Sequence, residues 1–301
     1  MKRVAVLMGG TSNERKVSLE SGAAVVQGLK EAGYEALPVV LDADRIDALP
    51  EGVEAVFIAL HGGYGENGGV QSDLDKLGVP YTGPGAAASR ITIDKIATKR
   101  ALEREGIPTA PYEVLPCGVD VTQLALPVVV KPPRDGSSVG ISKVTEAGQW
   151  AAALKAARDV DPQGDVLVEA YIPGREWTVG VIGGQALPVV EIQAPNGWYG
   201  YAEKYTKGVT RYVFPEGAED APLVAQCQVL ALLAFQTVGC RGVSRVDFRV
   251  TPEGQPYVLE INTIPGFTAT SLLPKAAAKQ GLSFSALCAK LVACAACDPA
   301  R

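Results

Sequence analysis

The stretch from Gly242 to Asn262 constrains the fold of this chain most, because polar and apolar residues alternate along both of its halves. A turn-forming cluster, Pro252-Glu253-Gly254, separates the two halves. Alternation with a period of two is typical of a half-buried β-strand, and such a cluster joins neighbouring antiparallel strands. The stretch therefore predicts a β-hairpin with one apolar and one polar face.

The apolar side chains of this hairpin set its register, because a slip of one residue would turn them all to the other face. They predict three cross-strand pairs on one face: Val250 with Tyr257, Phe248 with Leu259, and Val246 with Ile261. The opposite face then pairs Asp247 with Glu260, and Arg245 with Asn262.

The polar face of the hairpin predicts a metal site that is completed by phosphate. Facing carboxylates repel each other unless a cation lies between them, and oxygen-only ligands suit magnesium or manganese. An arginine beside such a metal suits a transferring phosphoryl group. The alternative interpretation is a solvated sheet face on which Arg245 and Glu260 form an ion pair.

Length and charge narrow the class of protein. A chain of 301 residues predicts two or three domains, and a net charge of −5 argues against a nucleic-acid surface. No apolar run is long enough to span a membrane, and Val4–Met8 is interpreted as a first β-strand rather than part of a signal peptide. The 6 cysteines are interpreted as buried or incidental thiols, and the single histidine excludes a multi-histidine metal site.

Residues 1 to about 85 alternate strand and helix patterns, which predicts a small parallel α/β unit. Its strands are expected at Arg3–Met8, Glu35–Leu41 and Ala55–Leu60, and a helix is expected near Val17–Glu31. Loops at the carboxyl ends of parallel strands build binding sites, so the loops that follow these strands are the first places to look.

Two loops of this unit are candidates. Gly9–Arg15 lacks the G-x-G-x-x-G pattern of dinucleotide sites, and its alternative interpretation is a strand-to-helix turn with Glu14 near the helix N-terminus. His61–Gly69 has more glycine than a turn requires and contains both His61 and Glu66. Its alternative interpretation is a flexible surface loop.

A glycine- and serine-containing loop, Pro132–Gly140, lies between the predicted strands Leu126–Lys131 and Ile141–Val144. Such a loop can fold over phosphates with its backbone N–H groups and hydroxyls, although it is not a Walker A loop. Lys131, at the end of a buried strand, would reach a phosphate as a point charge. The alternative is a hairpin loop with a snorkelling lysine.

The next segments contain two bracketing glutamates and a candidate lid. Glu169 and Glu176 bracket a strand break at Pro173-Gly174, where an acid could hold an adenine amino group or ribose hydroxyls, but surface charge is the commoner explanation. Asn196–Gly208 is aromatic but has no clear period and is interrupted by glycine, which favours an ordered lid.

Helices account for most of the remaining chain. Residues 86 to 105 are predicted to be helical, and Lys95 on this helix is interpreted as a solvated charge when taken alone. Asp220–Val238 predicts an apolar core helix, and further helices are expected near Ser271–Lys279 and Ser283–Cys297.

Taken in this order, the pieces resemble the D-alanine–D-alanine ligases of the ATP-grasp superfamily over nearly the whole chain. The motifs are G-G-T-S-x-E-x-x-V-S at Gly9–Ser18, A-L-H-G at Ala59–Gly62, K-P-x-x-x-G-S-S-V-G at Lys131–Gly140, K-Y at Lys204-Tyr205, R-x-D at Arg245–Asp247 and E-x-N-T-x-P-G-x-T at Glu260–Thr268. One departure lies in the lid, where the family usually has Asp at the position of Gly200.

The resemblance implies an α/β and α+β fold: an N-terminal parallel α/β substrate domain at 1–86, followed by a two-subdomain ATP-grasp fold at 87–169 and 170–301. It also implies a cytoplasmic homodimer that contributes to peptidoglycan precursor synthesis. In the implied reaction, a D-alanine carboxylate attacks the γ-phosphate of ATP to give an acyl phosphate. The amine of a second D-alanine then attacks that carbonyl, and phosphate leaves.

The resemblance further assigns roles to individual residues. The metal ligands for two Mg²⁺ ions, which Mn²⁺ can replace, would be Asp247, Glu260 and Asn262. The ATP-binding residues would be Lys95, Lys131, Ser138, Glu169, Tyr171, Ile172, Glu176 and Lys204. The substrate-binding residues would be His61 and Glu66 near the first D-alanine, and Ser271 and Leu272 at the second. The catalytic residues would be Glu14, which pairs with the first ammonium, the oxyanion donors Arg245 and Gly266, and Ser137 and Tyr205, which join Glu14 in a latch.

Two competing functions remain at this point. The first is an ATP-grasp ligase with another acceptor, D-lactate or D-serine. The second, from another class, is a non-catalytic nucleotide or metal sensor, which would have no use for an oxyanion hole. A serine hydrolase is disfavoured because the single histidine has no G-x-S-x-G partner.

Overall fold

The computed structural model describes residues 2–134, 136, 139–162, 164–195 and 210–298. The strands are β1 Arg3–Gly9, β2 Glu35–Leu41, β3 Ala55–Ile58, β4 Tyr112–Leu115, β5 Val128–Lys131, β6 Ser142–Val144, β7 Val166–Ala170, β8 Arg175–Ile182, β9 Gln185–Ala186, β10 Val190–Gln193, β11 Arg211–Val213, β12 Val243–Val250 and β13 Pro256–Asn262. The α-helices are α1 Arg15–Glu31, α2 Gly63–Glu66, α3 Gly69–Leu77, α4 Ala86–Ile93, α5 Lys95–Arg104, α6 Trp150–Val160, α7 Ala221–Thr237, α8 Leu272–Lys279 and α9 Phe284–Ala293. A 3₁₀ turn, Ala147–Gln149, precedes α6.

The N-terminal strands form a parallel sheet in the order β2-β1-β3, which confirms the predicted α/β unit. β1 lies in the middle and is buried on both faces, so its sequence reads as a continuous apolar run. Helices α1 and α9 share one apolar core with β1 and β3, and Val4, Phe57 and Leu287 belong to it. This packed core therefore supports the carboxyl ends of β1 and β3, which lead into the two candidate loops.

Two antiparallel sheets follow. The smaller has the order β4-β7-β5-β6 and is covered by α6 through a core that includes Val130 and Leu154. The larger has the order β11-β10-β8-β12-β13, with β9 paired to β8. Its apolar face packs on α7 around the buried side chains of Trp177 and Phe248. Pro132–Gly140, called the phosphate loop below, begins at the end of β5 in the smaller sheet, and the polar face of the hairpin belongs to the larger sheet.

The hairpin forms as β12 and β13, but its predicted register is only partly right. Opposite one another lie Arg245 and Asn262, Val246 and Ile261, and Asp247 and Glu260, as predicted. Beyond Asp247 the register shifts, so Phe248 faces Val258, Arg249 faces Tyr257 and Val250 faces Pro256. The predicted pairs of Phe248 with Leu259 and Val250 with Tyr257 are wrong, because a β-bulge inserts one extra residue on β13. Val258 is fully buried as a result.

The connection between the two antiparallel sheets is short and depends on Gly174. It runs from Ala170 at the end of β7 to Arg175 at the start of β8. Gly174 has φ +118°, and a Cβ atom there would lie 2.0 Å from the backbone oxygen of Val250. That oxygen belongs to β12 and cannot move away without disturbing the strand, so no residue with a side chain fits this position.

Gly174→Ala is therefore expected to lower the free energy of unfolding by about 3 kcal/mol, from backbone strain together with the steric collision. Gly254→Ala is the matched control, because Gly254 has φ +84° but no atom within 4 Å of its added Cβ. The control should lower the free energy of unfolding by about 1 kcal/mol, because only the backbone strain remains. Urea unfolding measures both variants, and equal losses would show that the collision with Val250 does not matter.

Candidate active site

Glu14 lies where three loops meet. It directly precedes α1, as the alternative interpretation of a strand-to-helix turn also expects, and its side chain makes no capping hydrogen bond to that helix. A Cβ atom on Gly62 would lie 2.8 Å from Glu14 Oε2, and one on Gly136 would lie 3.2 Å from the same oxygen. The first loop, the His61 loop and the phosphate loop therefore converge on one carboxylate. Glycine at both positions is what permits this approach.

His61 is buried and links the N-terminal unit to the turn after β13. Its Nδ1 lies 3.0 Å from the backbone oxygen of Ile264, which only accepts, so Nδ1 carries the proton. Its Nε2 lies 3.0 Å from Ser21 Oγ, which in turn accepts the backbone N–H of Phe267. Glu66 Oε1 lies 3.9 Å from Nδ1. The alternative interpretation of this segment as a flexible surface loop is wrong, because Gly63–Glu66 and Gly69–Leu77 are helical.

Ser21 is a residue that sequence reasoning missed. It lies one helical turn after Ser18 on the buried face of α1, and both serines are 0% exposed. Ser18 Oγ donates to the backbone oxygen of Ala59 and accepts the backbone N–H of Gly9. The signal that could have identified Ser21 is the presence of two serines on the buried face of one helix, since a buried hydroxyl requires a hydrogen-bond partner.

Asp247 is almost buried on β12 and is held from two sides. Arg245 Nε and Nη2 donate to its two oxygens at 2.9 and 2.8 Å. Thr178 Oγ1, directly across on β8, also donates to Oδ1. This fixes the carboxylate in one orientation. Thr178 was missed because the pairing of β12 with β8 cannot be read from the hairpin alone.

Glu260 lies across from Asp247 and its side chain is 35% exposed. Lys95 Nζ lies 3.7 Å from its Oε2. Lys95 is 7% exposed, so the interpretation of this lysine as a solvated helix charge is wrong. Helix α5 begins at Lys95 because the Asp94 carboxylate accepts the backbone N–H groups of Ile96 and Ala97. The α4–α5 junction therefore aims Lys95 at the polar face of the hairpin.

The start of α5 is also attached to the phosphate loop. The backbone N–H of Lys95 donates to Pro133 O at 2.9 Å, and Arg134 Nε donates to Asp94 Oδ2 at 2.9 Å. Because the loop is anchored at this end, its Gly136 can lie against Glu14. The structure thus brings Glu14, Lys95 and the hairpin carboxylates to one region.

The turn after β13 carries the predicted oxyanion and second-substrate residues. Asn262 Oδ1 accepts the backbone N–H of Ile264 at 3.1 Å. Gly266 lies close to Ser271, since a Cβ on Gly266 would be 3.2 Å from Ser271 Oγ. Ser271 Oγ accepts the backbone N–H of Thr268, and α8 begins at the next residue, Leu272. The turn is therefore compact and places Gly266 and Ser271 side by side.

The adenosine residues predicted from the resemblance surround the crossover between the two antiparallel sheets, and Arg249 holds them. Arg249 is 6% exposed. It donates to the backbone oxygens of Ile172 and Gly174 at 3.1 and 2.9 Å, and to Tyr171 Oη at 3.3 Å. Its Nη1 lies 3.2 Å from Glu176 Oε2. Sequence reasoning missed Arg249, although it alternates with Arg245 and Asp247 on the polar face.

Glu169 is 2% exposed, which rules out the alternative interpretation of ordinary surface charge. Lys99 contacts one of its two carboxylate oxygens and Lys131 contacts the other. Burial by itself raises the pKa of the Glu169 carboxyl, but these two lysines together hold the pKa below its usual value. Lys99 was missed because its burial depends on a strand 70 positions later in the chain.

Four predicted residues, Ser137, Ser138, Lys204 and Tyr205, lie outside the described residues, as do Gly200 and the rest of the lid segment 196–208. Among the described residues, no three His, Cys, Asp or Glu side chains come together as a metal site. Within the same residues, no helix combines the length and apolar character needed to cross a membrane.

Comparison with known proteins agrees with this architecture. Two family models match: "D-ala D-ala ligase N-terminus" over residues 3–47 and "D-ala D-ala ligase C-terminus" over residues 100–293. A D-alanine–D-alanine ligase of Anaeromyxobacter dehalogenans (strain 2CP-1 / ATCC BAA-258) is 45% identical, with 97% of this chain and 96% of the relative covered. One from Syntrophotalea carbinolica is also 45% identical, over 97% of this chain and 95% of the relative.

A solved structure extends the match to the fold. The crystal structure of D-alanine–D-alanine ligase from Bacillus anthracis complexed with ATP superposes with a TM-score of 0.85 at 31% identity, covering 98% of this chain and 97% of that one. The sheets described above form the fold of an ATP-grasp ligase. Within that class, the chain belongs to the D-alanine–D-alanine ligase family.

Proposed function

We propose that this protein joins two D-alanine molecules into D-alanyl-D-alanine, with conversion of ATP to ADP and phosphate. The observation that carries the proposal is the approach of Glu14 to Gly136 of the phosphate loop. An acid that can pair with an amino-acid ammonium lies beside a loop that can hold phosphate. A substrate bound by both would place its carboxylate next to the γ-phosphate, which is the arrangement that acyl-phosphate chemistry needs.

The chemistry follows from the poor reactivity of a carboxylate. The first D-alanine carboxylate attacks the γ-phosphorus, ADP leaves, and the carboxylate becomes an acyl phosphate with a good leaving group. The amine of the second D-alanine then attacks the acyl carbon, and the tetrahedral intermediate expels phosphate. Arg245 and the backbone N–H of Gly266 would stabilise the oxyanion of that intermediate. His61 and Glu66 would lie near the first amino acid, and Ser271 and Leu272 would hold the carboxylate of the second.

The hairpin fits Mg²⁺ by the chemistry of its donors. Asp247, Glu260 and Asn262 present oxygen atoms from facing positions on two strands, and such atoms suit a hard cation. Because the described residues supply only two carboxylates here, nucleotide phosphates would complete the coordination, as is usual for Mg²⁺. Two Mg²⁺ ions, or Mn²⁺ in their place, would neutralise the β- and γ-phosphates while Lys95 and Lys131 add further positive charge.

The remaining assignments complete the proposal. Tyr171, Ile172, Glu176 and Glu169 would line or support the adenosine pocket, and Ser138 and Lys204 would contact phosphate. Glu14, Ser137 and Tyr205 would form a hydrogen-bonded latch that closes the lid and excludes water from the acyl phosphate. A homodimer and the domain boundaries at residues 86 and 169 are further parts of the proposal.

The test is phosphate release from ATP with D-alanine, L-alanine, D-serine and D-lactate offered singly and in pairs. D-alanine alone should support turnover with one dipeptide formed per ADP, and L-alanine should not. Faster turnover with a mixture of D-alanine and D-lactate or D-serine than with D-alanine alone would assign the other acceptor. Equal turnover with L-alanine, or ADP formation without any peptide or ester product, would contradict the proposal.

A further inference from the structure

Three charged side chains form a buried group at the end of β5: Lys99, Glu169 and Lys131. Lys99 Nζ lies 2.8 Å from Glu169 Oε1, and Lys131 Nζ contacts Glu169 Oε2. The side chains of Lys99, Glu169 and Lys131 are 1%, 2% and 10% exposed. Lys131 is thus the member closest to solvent, and it ends β5 where the phosphate loop begins.

Lys99 itself has no capacity to bind a ligand. Besides the contact with Glu169, its Nζ donates to Thr109 Oγ1 at 2.7 Å and to the backbone oxygen of Ala110 at 3.0 Å. Two of the three N–H donors of this ammonium group are taken by these hydrogen bonds, the third is on a group already in an ion pair with Glu169, and the side chain is 1% exposed, so no ligand reaches it. Any effect of Lys99 on a reaction must therefore pass through its neighbours.

The charges of the group do not cancel. Two lysines and one glutamate leave one net positive charge, and it lies on the side of Lys131 because Lys99 is enclosed. Without Lys99, Glu169 and Lys131 would form a neutral pair, and the field that Lys131 presents to the loop would be largely cancelled. Opposite charges in contact interact strongly where water is excluded, so the loss would be large.

We propose that Lys99 is a positioning residue of the nucleotide site: it takes up the charge of Glu169, so that Lys131 keeps its positive charge for a nucleotide phosphate. The proposal deepens the proposed function and rests on Lys131 as a phosphate ligand. A purely structural Lys99 would affect stability, and adenosine and ADP binding together. A charge-balancing Lys99 affects the binding of the phosphates only.

The test compares ADP, which carries phosphates, with adenosine, which does not, by isothermal titration calorimetry. Lys99→Met keeps most of the side-chain volume and removes the charge. ADP affinity should fall at least about 10-fold, and adenosine affinity should stay within about twofold. Lys155→Met is the control, because Lys155 is exposed and pairs with Asp159 on α6. It should change neither affinity.

A second substitution sharpens the test. Lys99→Met combined with Glu169→Gln removes one charge of each sign and restores the single positive charge on Lys131. The ratio of ADP affinity to adenosine affinity should recover to within about threefold of its wild-type value. A ratio of ADP to adenosine affinity in the double variant that is no higher than in Lys99→Met would overturn the proposal. So would equal losses of ADP and adenosine affinity in folded Lys99→Met.

If thermal unfolding shows that Lys99→Met does not fold, Glu169→Gln alone decides the question. It keeps both lysines and removes the charge that opposes them, so ADP affinity relative to adenosine should hold or rise. A fall in that ratio would contradict the proposal. Failure of the wild-type protein to bind ADP would instead refute the proposed function, so the two outcomes are distinguishable.

Discussion

Asp247→Asn is expected to reduce ATP turnover more than about 100-fold while the fold remains in place, because loss of even outer-shell partners of a metal costs about 10- to 100-fold. The amide keeps the size of the carboxylate and can still accept hydrogen bonds from Arg245 and Thr178. It loses the negative charge that a divalent cation needs. The concentration of Mg²⁺ that gives half-maximal activity should rise together with the loss of turnover.

The structure offers a matched control for this prediction. Asp220 also forms an ion pair with an arginine, Arg175, and both side chains are partly buried. Arg175 lies over the ring of Trp177, on the opposite face of the sheet from Asp247 and Glu260. Asp220→Asn removes the same kind of ion pair and should leave both turnover and Mg²⁺ dependence unchanged. If the two variants lose activity to a similar extent, Asp247 is only an ion-pair partner of Arg245. The polar face of the hairpin would then be interpreted as a structural sheet face rather than a metal site.

How far the sequence predicts this site depends on how local each contact is. The facing of Asp247 and Glu260 follows from alternation on two adjacent strands, a short-range property. The register fails at the next residue of β12, because the bulge leaves apolar Leu259 partly exposed and buries Val258. Neither residue type signals an inserted position, since both are apolar and both occur in strands.

Contacts between distant elements were beyond sequence reasoning. Nothing in the sequence distinguishes Lys99 from an exposed lysine on a helix, but in the structure it contacts Glu169 of β7. Taken alone, Lys95 is also interpreted as an exposed helix lysine, but in the structure the Asp94 carboxylate caps the helix and Lys95 lies close to Glu260. The approach of Gly136 to Glu14 joins residues more than a hundred positions apart, and no periodicity encodes it. The sequence therefore identifies many of the residues that make up the site, but only the fold shows how their charges are balanced.

Arg245→Lys is the second change for which we expect a large effect, with dipeptide synthesis reduced by about 100-fold. Lysine keeps the positive charge but cannot offer the two parallel N–H groups that now reach both oxygens of Asp247. If Arg245 acts on the tetrahedral oxyanion, the first step should survive better than the second. Trapping the acyl phosphate with hydroxylamine measures the first step, and dipeptide yield measures both.

Arg245 also orients Asp247, so the two roles have to be separated. Thr178→Val provides the comparison, because it removes another hydrogen bond to the same carboxylate and leaves Arg245 in place. An effect through Asp247 alone would lower hydroxamate and dipeptide in equal proportion in both variants. A selective loss of dipeptide in Arg245→Lys, absent from Thr178→Val, places the arginine at the acyl-transfer step. Equal loss of both products in Arg245→Lys would restrict its role to holding Asp247, and the oxyanion would then depend on the Gly266 backbone N–H.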